Sequence, residues 1–337
     1  MRITDFRFPI LLVTTLWLLP PLPAPGQIPF RVMSYNVENL FDTYDDAQTE
    51  DEDFLPSGPR RWTPSRYGHK LRQLARVISA VGEWDTPALV GLCEAENDTA
   101  LTHLLTRTPL RQQAYRYLVT QGPDRRGINV ALLYQRDKFR YLGHSPVPVP
   151  LPSSARPTRP ILHVWGRIGS GDTLDVMVCH FPSRYGGEKK SQARREAAAG
   201  VLRALSDSLA RVRQSPLQIV MGDFNEEPFA PPMRRLAEGS LLNLFADATP
   251  SFTRGSYKYR DLWNQLDQIL IHRRMQTSDA TMRHVPGSAR TYAPSFLLIN
   301  DKVWVGQRPW RSYHGFRHEA GYSDHLPVVA DFLIFSD

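Results

Sequence analysis

A chain of 337 residues, 42% of them hydrophobic, can bury a large core as one large domain or two small ones, and disorder is not its default state. A formal net charge of +7 favours polyanionic partners such as nucleic acid or anionic lipid, without choosing between them. With only two cysteines, Cys93 and Cys179, the chain has neither a disulfide framework nor a zinc site built from several thiolates.

The chain opens with "MRITDFRFPILLVTTLWLLPPLPAPGQ", in which Arg2 and Arg7 precede an apolar run over residues 8–19 and then a Pro-rich segment with small residues. That is the order of a secretory signal. The run stops at Pro20, short of the ~20 residues a spanning helix needs. We therefore expect residues 1–26 to be a signal peptide cleaved near Ala24 to Gln27, and residues 27–337 to be exported to the periplasm or the medium as a monomer with no stable membrane anchor.

Beyond it, apolar and β-branched runs recur: "FRVMSY", "ALVGLC", "YLVT", "INVALLY", "ILHVWGRI", "TLDVMVCHF", "LQIVMGDF", "LDQILI" and "PVVADFLIF". Between them lie helical stretches, clearest in "SRYGHKLRQLARVISAVG", where Leu71, Leu74, Ala75, Ile78 and Val81 share a face, and in "EKKSQARREAAAGVLRALSDSLARVRQ". The pattern is that of an α/β sheet protein. Cys93 and Cys179 each precede a candidate catalytic residue on what read as neighbouring strands, and strand alternation turns both thiols toward the core. A single disulfide between them stays open, given export.

Two loops stand out. "DTYDDAQTEDEDFLPSGPRRWT" is acidic and then basic, which suits a solvated insertion or a calcium-binding loop, although its spacing is not that of an EF-hand. "NDKVWVGQRPWRSYHGFRHEAGYSDH" interleaves Lys302, Arg308, Arg311 and Arg317 with Trp304, Trp310, Tyr313 and Phe316. Such mixing suits stacking and phosphate contact with nucleic acid, or equally a loop folded on its own aromatics.

The strand ends carry the chemistry. "MSYNVENL" offers Asn36 and Glu38, "VGLCEAEN" offers Glu94, "MVCHFPSR" offers His180, "MGDFN" offers Asp223 and Asn225, "LDQILI" offers Asp267, and "GYSDHLPVV" offers Asp324 and His325. Oxygen ligands for Mg²⁺ or Mn²⁺, with imidazoles to move protons, are what phosphoryl chemistry needs. Glu96 and Asn97 read as solvated neighbours of Glu94. Alternation along a strand puts Asp223 and Asn225 on one side of the backbone.

This order, Asn-x-Glu, Glu, His, Gly-Asp-x-Asn, Asp and Ser-Asp-His, resembles the endonuclease/exonuclease/phosphatase superfamily over almost the whole mature chain. The resemblance implies a four-layer α/β/β/α sandwich, with two mixed sheets face to face, helices outside and a site at one rim. It implies one catalytic domain over residues 27–337. It assigns Glu94 as the principal ligand of Mg²⁺ or Mn²⁺, with Asn36, Glu38 and Asp324 beside it, Glu38 standing where family members often have Asp. Asp223 is expected to orient or deprotonate water, Asn225 to hold a phosphate oxygen, and His325, oriented by Asp267, to contact the phosphate as base or acid.

His180 is expected to serve as leaving-group acid or phosphate ligand. With Ser183, it departs from the abasic-site branch, which carries Tyr and Asn there. Ser183 and Arg184 after His180, and Trp310 and Arg311 in the second loop, are candidate substrate contacts. The expected activity is an exported nuclease on DNA or RNA. The alternatives are a phosphatase or phospholipase on inositol phosphate or sphingomyelin-like substrates, or a scaffold without activity.

Overall fold

The structure, a computed structural model, describes residues 26–83, 85–152, 156–249 and 254–335. Apart from Gly26, the expected signal segment lies outside them. The first sheet contains β1 (Gln27–Leu40), β2 (Leu89–Ala95), β3 (Arg116–Val119) and β4 (Asn129–Tyr134). The second contains β5 (Arg140–Val147), β6 (Ile161–Arg167), β7 (Thr173–His180), β8 (Leu217–Asp223), β9 (Leu241–Asn243) and, after the hairpin of β10 (Tyr257–Tyr259) and β11 (Leu262–Asn264), β12 (Asp267–His272). β13 (Met282–His284) and β14 (Arg290–Thr291) return to the first sheet. β15 (Leu298–Asn300) with β16 (Gln307–Pro309), and β17 (Tyr313–His314) with β18 (Arg317–His318), are small hairpins before β19 (Val328–Phe335).

The first sheet runs β13-β19-β1-β2-β4-β3, with β14 also on β19, and the second runs β5-β6-β7-β8-β12-β9. Both mix parallel and antiparallel pairs. Their central strands, such as β4 and β8, read as unbroken apolar runs because each buries both faces. In β1, Phe30 and Val32 enter the core between the sheets while Met33, Tyr35 and Val37 face the helices outside. In β8, Leu217, Ile219 and Met221 point inward and Val220 outward.

α1 (Pro64–Gly82) and α2 (Asp98–Thr106) share the outer core of the first sheet, and α3 (Glu188–Val212) and α4 (Pro231–Ala237) that of the second. The layers are therefore α/β/β/α. α1 starts where Thr63 accepts the N–H of Arg66 and Pro64 takes the first turn, and all five expected apolar residues are buried.

Two expectations need correction. Cys93 and Cys179 do not lie on neighbouring strands: β2 and β7 belong to opposite sheets, and the Cys93 thiol donates across the sandwich to the Cys179 carbonyl at 3.2 Å. Both are buried and unbonded. β5 went unread because it is a mostly exposed edge strand without an apolar face.

Candidate active site

Register brings the polar strand ends together. β7 pairs with β8 in parallel so that His180 stands beside Asp223, and β12 pairs with β8 antiparallel so that Asp267 stands on its other side. The tight β7–β8 approach requires Gly222 at φ +149°, where an added Cβ would lie 1.8 Å from the Cys179 carbonyl oxygen. From the first sheet, β1 and β2 end in parallel with Asn36 opposite Cys93, delivering Asn36 and Glu94 to the same rim. His325 arrives just before β19 and bridges to Tyr257 of β10.

The backbone is unusual where it meets the rim. Glu38, Asn39, Glu94 and Asn225 all adopt positive φ, a conformation that non-glycine residues seldom take. The backbone N–H groups of Glu38, Asn39 and Asn225 each donate to a side-chain oxygen, that of Glu38 to Asn36 Oδ1 at 3.0 Å. Glu94 Oε2 accepts the N–H of Asn39 at 2.9 Å, and Asp223 Oδ1 accepts the N–H of Asn225 at 2.8 Å.

Asp223 is the centre of the arrangement. Its Oδ2 accepts from the amides of Asn36 at 3.1 Å and Asn225 at 3.3 Å. His180 Nε2 lies 3.6 Å away from that oxygen and His325 Nε2 3.9 Å. Behind His325, Nδ1 is 2.6 Å from Asp267 Oδ2, while Ser323 Oγ accepts the His325 N–H and donates to the Asn36 carbonyl. Glu94 Oε1 lies 3.9 Å from His180 Nε2.

Burial and mutual charge set the proton affinities. Burial, reinforced by Asp267 and opposed by His325, lifts the Asp223 carboxyl to about 7. Burial would lower His325, but the carboxylates of Asp267 and Asp223 outweigh it and hold the imidazolium well above the usual histidine range. His180 goes the other way: burial and the cations of Arg159 and Arg126 keep it neutral well below that range. Its buried Nδ1 has no hydrogen-bond partner.

The remaining expected residues divide. Both oxygens of Glu38 are engaged by backbone, accepting the N–H of Ser312 at 2.7 Å and of Tyr313 at 3.2 Å, so this side chain ties the second loop to the rim. Asp324 is half-buried beside His325 and, after burial, is the main charge raising Glu38 to about 7. Arg184 donates to the Asn225 carbonyl at 2.9 Å, whereas Ser183 is exposed and its carbonyl accepts from Arg195. Trp310 turns inward, edge-on to Tyr322 and donating to the Glu319 carbonyl. Arg311 is half-buried in the field of Asp324 and Glu38.

Three participants escaped the sequence reading. Lys70, buried, donates to Ser312 Oγ at 2.6 Å and to the Tyr322 carbonyl, in the field of Glu38, Asp324 and Glu94. Its signal was a lysine adjoining the apolar stripe of α1. Tyr257 lies with its ring 4.8 Å from that of His325, on a strand too short to show periodicity. Glu96 is 5% exposed rather than solvated, because its Oε2 accepts the Asp42 N–H at 2.6 Å as the chain leaves β1. Asn97 caps α2 by accepting the Ala100 N–H.

The donor set suits a hard divalent cation. Asp223, Asp267 and His325 bring potential ligand atoms within 4.8 Å of one another, and carboxylate and amide oxygens dominate the rim. Asp267 Oδ1 is buried with no hydrogen-bond partner, although its Oδ2 is committed to His325. No helix among the described residues is long and apolar enough to cross a membrane.

Comparison with solved structures finds the same fold at low identity. A mannosyl-6-phosphatase from Bacteroides thetaiotaomicron matches at 18% identity and TM-score 0.58, covering 91% of this chain and 100% of that one. The human Nocturnin catalytic domain with bound sulfate matches at 18% and 0.56, covering 90% and 93%. D. rerio TDP2 complexed with a single-strand DNA product matches at 14% and 0.54, covering 90% and 98%. No curated protein matches the sequence at a significant level. Identities this low carry the fold alone. The sequence profile of the Endonuclease/Exonuclease/phosphatase family, however, matches residues 31–333, and the chain belongs to that family of metal-dependent phosphoesterases.

Proposed function

We propose that the chain is an exported, divalent-metal-dependent nuclease that hydrolyses DNA or RNA phosphodiester bonds by in-line attack of water. The observation that favours nucleic acid over other phosphoesters is a cavity of about 360 Å³ at Tyr257, whose ring packs on His325, lined among others by Tyr259, Arg260, Trp304 and Arg311, while Lys258 on its wall is paired with Asp301. Cations that track phosphates and aromatic faces that stack on bases are the two elements of a single-strand platform. The Arg260 guanidinium already covers the rings of Tyr259 and Trp304 at 5.3 and 5.8 Å. The single-strand DNA product on the TDP2 relative agrees with this reading. Export rests on the charge and apolar order of the first residues.

Within this reading Glu94, Asn36 and Asp324 would hold Mg²⁺ or Mn²⁺, which when bound neutralises charge on the phosphoryl and leaving oxygens. Asp223, clamped by the two amides, orients the attacking water and takes its proton. His325, with Nδ1 committed to Asp267, presents Nε2 to a phosphoryl oxygen. Asn225 steadies that oxygen through its amide, and His180 serves the leaving group. Glu38 acts as a loop anchor, the role its two backbone contacts describe.

The test is hydrolysis of plasmid DNA, single-stranded DNA, RNA, sugar phosphates, inositol polyphosphates and sphingomyelin, each with Mg²⁺ or EDTA. Metal-dependent cleavage of a nucleic acid, without release from the small and lipid substrates, is the expected result. Intact nucleic acid alongside hydrolysis of a sugar or inositol phosphate would overturn the nuclease assignment and leave a phosphatase.

A further inference from the structure

β8 lies between β7 and β12 in its sheet, so Asp223 is flanked by His180 on one side and, on the other, by Asp267 with His325 and Tyr257. The cavity at Tyr257 is on the β12 side. On the β7 side the chain passes from His180 through Arg184 and Tyr185 into α3. Arg184 pins this loop to the catalytic turn, its Nε donating to the Asn225 carbonyl at 2.9 Å. One residue further Tyr185 is 75% exposed, where Gly186 and Gly187, both at positive φ, turn the chain back toward the helix. At that exposure the ring adds little to any core. A cation covers it instead: the Arg156 guanidinium lies 5.6 Å from its centroid. Arg156 is exposed and, among the described residues, makes no ion pair.

A second cation reaches the same side. Arg159, buried, donates to the carbonyls of His180 at 3.3 Å and Phe181 at 3.0 Å and to Asp124 Oδ2 at 2.7 Å. Asp124 Oδ1 in turn lies 3.6 Å from Arg126 Nε. These contacts hold the loop that carries Arg126 against the end of β7, near enough for its charge to act on His180. Asp124 is shared with Arg159, so the trio keeps one positive charge, and the Arg126 side chain is 45% exposed.

We infer that Tyr185, Arg156 and Arg126 form a second strand-binding subsite, on the His180 side of the scissile phosphate, that holds the leaving part of a polynucleotide. An exposed ring stacks on any base, and cations beside it meet the phosphates on either side of that base. The pair of Arg156 and Tyr185 mirrors, across Asp223, the Arg260 guanidinium on Tyr259 and Trp304. This inference rests on the nuclease reading and narrows it: the substrate is a strand that continues past the cut on both sides, rather than a nucleotide with a small leaving group.

The experiment uses a single-stranded oligonucleotide with one natural phosphodiester among phosphorothioates, carrying both bases at that bond or lacking one of the two. Hydrolysis with Mg²⁺ is compared in wild type, Tyr185→Ala and Tyr185→Phe. On the complete strand Tyr185→Ala is expected to lose about tenfold or more in kcat/KM, through KM, which is the loss of one base–aromatic stack. Tyr185→Phe keeps the ring and should restore most of it. The Tyr185→Ala loss should be non-additive with removal of the base on the leaving side and additive with removal of the other. Arg126→Ala and Arg156→Ala should each lower the slope of log(kcat/KM) against log salt by about 1. Equal KM in wild type and Tyr185→Ala, additive losses for both bases, or unchanged salt slopes in both arginine variants would overturn the subsite and leave the nuclease reading standing. Failure of wild type to cleave any nucleic acid would overturn that reading, and this subsite with it.

Discussion

His325 Nδ1 stands 2.6 Å from Asp267 Oδ2, and the two residues, 58 positions apart in sequence, meet because β12 and the turn before β19 end at one rim. A buried carboxylate in that position holds the imidazolium through Nδ1 and turns Nε2 toward Asp223. Asp267→Asn is therefore expected to lower kcat by about 10²–10⁴-fold with little change in KM. Combined with His325→Ala, it should cost no more than His325→Ala alone, because the pair acts as a unit. Additive losses in steady-state kinetics would contradict this coupling of the two residues.

Glu38 and Lys70 hold the loop of residues 312–322 against the rim from two sides, through Ser312, Tyr313 and Tyr322. Lys70→Met keeps the aliphatic stem but leaves the Tyr322 carbonyl without its buried donor, at a cost of about 1–3 kcal/mol. Urea denaturation should register that loss, and limited proteolysis should cut this loop faster than in wild type. Unchanged digestion would remove Lys70 from the role of positioning residue.

Gly222→Ala would put a Cβ 1.8 Å from the Cys179 carbonyl oxygen at a backbone angle alanine rarely adopts. The β7–β8 pairing that aligns His180 with Asp223 must open to admit it. A loss of stability of about 4 kcal/mol or more is expected, together with loss of activity. Wild-type stability in this variant would show that the strand approach is not required.

His180 works against stability below neutral pH, opposite in sign to Asp223, Glu38 and His325, whose raised affinities let the folded chain take up protons first. Burial, with Arg159 and Arg126, holds the folded-state affinity of His180 well below the ordinary value. The unfolded chain therefore takes up a proton from about pH 6.5 downward while the folded chain does not, and stability is lost as pH falls from there toward the folded pKa. In His180→Asn that contribution disappears. Thermal unfolding should show the stability of the variant relative to wild type rising as pH goes from 7.5 to 5, and a difference that does not change with pH would contradict the assignment.

Binding of a single-stranded oligonucleotide should weaken with salt, each phosphate contact contributing about one unit of slope in a log–log plot. Arg260→Ala removes a cation of the cavity at Tyr257 and should lower that slope by about 1, uniformly across sequences. An unchanged slope would place the strand elsewhere.

The sheets and the rim were legible because polar residues closing apolar, β-branched runs are visible without a structure. "GDFN" over residues 222–225 and "SDH" over residues 323–325 already put Asp223, Asn225 and His325 at strand ends. What stayed hidden depends on contacts between distant segments. Nothing local distinguishes Glu38 as a ligand from Glu38 as the acceptor of Ser312 and Tyr313, 274 and 275 residues away. The second loop was readable only as a mixture, and the fold separates it: Trp310 and Tyr313 turn to the core while Trp304 and Phe316 stay exposed. Glu96 looked solvated because its burial comes from the acidic loop folding back over it.

The central claim is that Asp223 sits at the chemical centre of a metal-dependent nuclease. It is tested most directly by measuring hydrolysis of one single-stranded oligonucleotide by wild type and Asp223→Asn, with Mg²⁺ and with EDTA. The account predicts turnover only for wild type with Mg²⁺, and a loss of about 10²-fold or more in the variant despite an intact fold by circular dichroism. Comparable rates in the two proteins, or cleavage that persists in EDTA, would contradict it.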